Sequence, residues 1–138
     1  MRFWDASALV PLCVEEASTA VVREIATTDP QMIVWWASPV ECWSAFARLR
    51  REGVTDFSGE EAARVLLAAY QRSWTEILPG EEVRVQAGRL LRLHPLRAHD
   101  ALQLAAALAW AGTRGGQAII LDHQLKEAAR LEGLTVLP

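Results

Sequence analysis

A chain of 138 residues, 51% of them hydrophobic, can bury one core and is too short for two ordinary domains, so a single domain spanning residues 1–138 is expected. Its 14 basic and 17 acidic side chains give a formal net charge of −3, which counts against a nucleic-acid binder with a broad basic face. Nothing approaches the roughly 18 consecutive apolar residues of a membrane span, and Asp5 falls where a signal peptide needs its apolar stretch; a cytoplasmic location with no membrane partner is expected.

In chain order, Arg2-Phe3-Trp4 is a short apolar run that stops at Asp5, as a buried strand would. Ala6 to Val10 opens a new segment, interrupted by Pro11. Val21, Val22 and Ile25 have helical spacing within Ala17 to Ala26, and Asp29-Pro30 breaks that helix. Met32-Ile33-Val34-Trp35-Trp36 is apolar without alternation, which predicts a strand covered on both faces and puts both tryptophans in the core. Ser38-Pro39-Val40-Glu41 has the capping-box pattern, with Ser38 as N-cap, and the helix carries Cys42, Ala45, Phe46 and Leu49 before Gly53 ends it.

Ser58-Gly59-Glu60-Glu61 repeats that pattern ahead of a helix reaching about Ser73. Trp74 to Leu78 fits a short strand before Pro79-Gly80, although periodicity alone leaves a helix end open. Glu81 to Leu93 is helical, with Val83, Ala87, Leu90 and Leu91 facing inward. After Pro95, the stretch from Leu96 to Leu108 becomes helical, with Leu104, Ala107, Leu108 and Ala111 on one face and Asp100 at its head. Gly112 to Gly116 is a loop, Gln117 to Leu121 a strand ending at Asp122, Leu125 to Ala129 a helix capped by Gly133, and Thr135-Val136-Leu137 a last strand. Strands separated by helices predict an α/β layer with a mostly parallel sheet of about five strands.

This topology makes four scattered acids meet. The carboxyl ends of parallel strands share one edge, and the crossover helices, running antiparallel, begin at that edge. Asp5 and Asp122 stand at strand ends, Glu41 and Asp100 at helix starts. Crowded carboxylates repel one another unless a cation joins them. Oxygen ligands without Cys or His favour Mg²⁺ or Mn²⁺, and such a site suits phosphodiester hydrolysis. Without those four acids, 14 basic side chains face 13 acidic ones, so the charge objection to a nucleic-acid substrate largely falls away.

The stretches Phe3 to Leu9, Glu41 at its helix start, Arg97 to Ala107 and Leu121 to Ala129, in this order and spacing, resemble PIN-domain ribonucleases of the VapC toxin type over essentially the whole chain. The resemblance implies a PIN-like sheet sandwiched between helices and a Mg²⁺- or Mn²⁺-dependent endoribonuclease acting on RNA. It also implies a homodimer and neutralisation by a small cognate antitoxin whose C-terminal segment occupies the groove. Carried over residue by residue, Asp5, Glu41 and Asp100 match the family's main catalytic and metal-binding acids, Asp122 its fourth, and Ser7 a hydroxyl that supports the first. The chain departs at Ile120, where many relatives carry Ser or Thr, which puts support for Asp122 in question.

Bland readings attach to the other polar and aromatic residues. His99 and His123 are expected at helix starts without a role, and Arg48, Arg50 and Arg51 as cations at a helix C-terminus. Trp4, Trp43 and Trp110 belong to core or interface, and Cys13 and Cys42 are expected as free buried thiols. Two rivals differ in class. An inactive PIN-like RNA-binding or scaffolding domain is opposed by the intact acids. A receiver-type phosphoacceptor needs paired acids after strand one, an acceptor Asp ending the middle strand and a Lys late in the sheet, and the chain has none of these.

Overall fold

The apolar runs separated along the chain pair side by side in the computed structural model, which describes residues 1–138. They form β1 (Arg2–Trp4), β2 (Met32–Trp35), β3 (Thr75–Ile77), β4 (Gln117–Ile119) and β5 (Thr135–Leu137). The sheet order is β3-β2-β1-β4-β5, every pairing is parallel, and Phe3 lies between Ile33 and Ala118. The helices are α1 (Ala6–Cys13), α2 (Thr19–Thr28), α3 (Ser38–Arg51), α4 (Phe57–Gln71), α5 (Glu81–Leu93), α6 (Ala98–Ala111) and α7 (His123–Leu131). No helix is long and apolar enough to cross a membrane.

Successive strand residues feed opposite cores, as the period of two requires. Phe3, Ile33, Trp35, Ala118 and Ile120 pack against α5, α6 and α7. Trp4, Met32, Val34 and Ile119 pack against α1, α3 and α4, joined by Val22 of α2. This is the two-sided burial expected of a parallel sheet. In α6, Ala105, Ala106 and Ala107 are buried together, so small side chains bring this helix close to its neighbours. That helix carries Asp100 and therefore fixes where its carboxylate can stand.

Local chemistry departs from the sequence expectations at several points. Helix α1 continues through Pro11 to Cys13, and the Thr19 hydroxyl donates to the Pro11 carbonyl at 2.8 Å near its end. The N-cap of α3 is Ala37, without a side-chain cap bond; Ser38 is already helical and its buried hydroxyl turns to another helix. At α4 the cap is Asp56, which accepts from the Gly59 amide at 2.8 Å, rather than Ser58. A carboxylate is well placed there because it meets the positive end of the helix dipole. Strand β4 stops at Ile119, leaving Asp122 beyond the strand as the N-cap of α7. Trp36 and Leu91 are exposed: Trp36 lies past the end of β2, and the buried stripe of α5 is only Val83, Ala87 and Leu90. Both cysteines are free thiols, Cys42 buried and Cys13 partly so.

Candidate functional site

The site begins where β1 turns into α1. Asp5 takes an extended backbone (φ −74°, ψ 154°) and its Oδ2 accepts the Ser7 amide at 2.9 Å together with the Ser7 hydroxyl. Its own amide donates to the Ile119 carbonyl at 3.1 Å, which ties the turn to β4. The residue is only 4% exposed. Burial pushes the Asp5 carboxyl up to about 6, with nearby Asp100 adding to the rise and the Ser7 bonds opposing it.

Glu41 enters from the first turn of α3 and is partly buried. Its Oε1 accepts from Gln103 Nε2 at 3.0 Å. Burial, then repulsion by Asp5 and by Asp100, raises the Glu41 carboxyl to about 8, against the lowering effect of the Gln103 bond. Asp100, in the first turn of α6, is the third member: it acts on both other acids, and its Oδ1 lies 3.2 Å from Nε2 of the exposed His99. Residues from three distant stretches thus lie close enough for Asp100 to raise the carboxyls of both Asp5 and Glu41.

Asp122 stands apart from that trio. It is exposed, its Oδ1 caps α7 by accepting the Leu125 amide at 2.9 Å, and it is not among the charges acting on Asp5 or Glu41. Ser7 links the two regions. Its hydroxyl donates to Asp5 while accepting the Leu121 amide at 2.9 Å and the Asp122 amide at 3.3 Å. The backbone around Asp122 is therefore held from β1's side, although Ile120 offers no hydroxyl.

A cleft of about 730 Å³ is lined by Ser7, Glu41, Arg48, Arg97 and His99 among others, so that of the three acids Glu41 faces it directly and Asp5 and Asp100 are neighbours in sequence of its lining. The chemistry of the donor set fits a hard divalent cation: the donors are carboxylate oxygens whose burial and mutual repulsion an ion would relieve. They do not form a closed cage, since no three Asp, Glu, His or Cys side chains converge at metal-holding range. One or two carboxylates with water and a substrate phosphate is the way Mg²⁺ usually binds.

Sequence reasoning missed Gln103, which is 1% exposed and donates to both Glu41 and Ser38 Oγ, the latter at 2.9 Å. Its signal was a polar residue inside the apolar run of α6, three positions after Asp100 and so on the same face. His99 and Arg48 border the cleft although helix-end roles account for their positions. His123 is exposed at the head of α7.

The sequence matches no protein-family model and none of the curated proteins. Comparison with solved structures does find likenesses. One is the crystal structure of Mycobacterium tuberculosis VapC20, a sarcin–ricin loop cleaving toxin, with a TM-score of 0.71 and 18% identity, covering 98% of this chain and 97% of that one. Another is a toxin–antitoxin complex from Klebsiella pneumoniae, with a TM-score of 0.67 and 16% identity, covering 100% of this chain and 97% of that one. At such identities the likeness is one of fold, and the five-stranded parallel sheet between helices is the PIN-like fold.

Proposed function

We propose that this chain, as one PIN-like domain, is a cytoplasmic Mg²⁺- or Mn²⁺-dependent endoribonuclease, the toxin half of a toxin–antitoxin pair of the VapC type. The observation that carries the reading is that Asp5, Glu41 and Asp100 lie at the carboxyl edge of the sheet near enough for Asp100 to raise the other two carboxyls, with Glu41 lining an open cleft. The fold shared with VapC20, a sarcin–ricin loop cleaving toxin, and with a toxin–antitoxin complex supports the choice of RNA as substrate and of a small antitoxin as partner. A homodimer belongs to the same reading.

In this assignment Asp5, Glu41 and Asp100 would hold the cation, and Asp122 would contribute from the rim. When bound, the cation would favour attack by water on the phosphodiester and neutralise charge on the departing oxygen. Ser7 keeps Asp5 in one orientation through two hydrogen bonds to the same oxygen. Arg48 and Arg97, bordering the cleft, suit the flanking phosphates, which a guanidinium can grip with two parallel bonds.

Cleavage of a mixed RNA substrate with Mn²⁺, with excess EDTA, and by Asp100→Asn tests this. The expected result is cutting only by the wild type with metal. Cleavage that survives EDTA, or a fully active Asp100→Asn, would overturn the assignment.

A further inference from the structure

Gln103 is one of the few polar side chains in the interior, and its surroundings are lopsided. Its Nε2 donates to Ser38 Oγ at 2.9 Å and to Glu41 Oε1 at 3.0 Å, both on α3. Its carbonyl Oε1, fully buried, has no donor at all. An unsatisfied buried acceptor costs about 1–3 kcal/mol, and a leucine or methionine would fill the same space without that penalty. Stability therefore does not explain the amide.

The position on α6 offers a reason. Gln103 lies three residues after Asp100, so one turn of one helix carries both an acid of the site and the donor that touches another. The bond engages Oε1 of Glu41, which makes no other side-chain hydrogen bond, and leaves Oε2 without a side-chain partner. A carboxylate on a flexible side chain, half-buried and repelled by two neighbours, would otherwise swing toward solvent.

We infer that Gln103 is a positioning residue for the metal site, fixing the Glu41 carboxylate relative to Asp100. This rests on the metal-site reading given above. Side chains that orient a ligand in this way typically contribute 10–100-fold to metal affinity when removed.

The test is a Mn²⁺ titration of the full chain, followed by the electron paramagnetic resonance signal of free Mn²⁺, with melting curves of each protein alongside. Gln103→Met keeps length and removes the amide; Gln103→Asn keeps the amide and withdraws its reach. Both should weaken Mn²⁺ binding at least about tenfold, and either one that folds suffices to decide. Ser38→Ala removes the other partner of Gln103 without touching Glu41, and should leave affinity within about threefold. A wild type that binds Mn²⁺ alongside Gln103 variants that bind it equally well would overturn the role of Gln103 alone. So would equal weakening by Ser38→Ala, which would make the amide a plain tie between α3 and α6. A wild type that binds no Mn²⁺ would overturn the metal-site reading and this inference with it.

Discussion

The junctions β1–α1 and β4–α7 are built alike and behave differently. In each, a strand of the sheet's centre gives way to an aspartate that N-caps the following helix, and the two strands are neighbours. Yet Asp5 is buried and raised to about 6, while Asp122 is exposed and outside the repelling group. The local sequence decides that an aspartate caps; the depth of burial and the charges arriving from α3 and α6 decide what else it can do. A carboxylate in water caps a helix at little cost, whereas the charge of one withdrawn from water beside two others is disfavoured and would be relieved by a nearby cation.

The largest expected difference between the junctions is in activity. Asp5→Asn, Glu41→Gln and Asp100→Asn should each lower RNA cleavage by about a thousandfold or more, because groups acting as a unit fail together. Asp122→Asn should lower it by only about tenfold. Initial rates at saturating Mn²⁺ decide this, and equal losses at Asp5 and Asp122 would erase the distinction.

The next effect is on stability against pH. Asp5 and Glu41 have folded-state values above their unfolded ones, so the native protein holds protons that the unfolded chain has already released. Stability without metal should therefore rise as pH falls from about 8 through about 6 and level off near the ordinary carboxylate range. Asp5 alone accounts for something on the order of 3 kcal/mol. Urea unfolding in EDTA at steps from pH 8.5 down to about pH 4, where the Asp5 contribution is complete, measures it. A wild type that loses stability as pH falls over this interval would contradict the account.

The smallest effect isolates the cap. Asp122→Ala removes the bond to the Leu125 amide and should lower stability by about 1 kcal/mol, equally with and without Mn²⁺. A loss that appears only with Mn²⁺ would move Asp122 into the metal-holding group.

Much of this was legible in the sequence for topological reasons. Strand ends at Asp5 and near Asp122, with helix starts at Glu41 and Asp100, had to share one edge once the sheet was parallel. Which core Phe3 or Trp4, and Ile33 or Val34, would enter was not legible, because these runs are apolar without alternation. What escaped notice depends on contacts between distant helices. Ser38 reads locally as a cap, but its hydroxyl meets Gln103, 65 residues away. Gln103 reads as an exception in an apolar stripe until α3 is laid beside it. The separation of Asp122 from the other acids rests on β4 ending at Ile119, and strand ends are poorly marked by hydrophobicity alone.

The central claim, that Asp5, Glu41 and Asp100 repel one another until a cation joins them, is tested most directly by melting curves of wild type and Asp100→Asn at low salt, in EDTA and in Mn²⁺. Asp100→Asn should melt higher than wild type in EDTA, since it relieves both remaining acids while nearly keeping shape. Mn²⁺ at a hundredfold its dissociation constant should stabilise the wild type by about 2.7 kcal/mol, and the variant by less. If Mn²⁺ stabilises neither protein and Asp100→Asn melts lower in EDTA, Asp100 is an ordinary first-turn helix acid and the claim is contradicted.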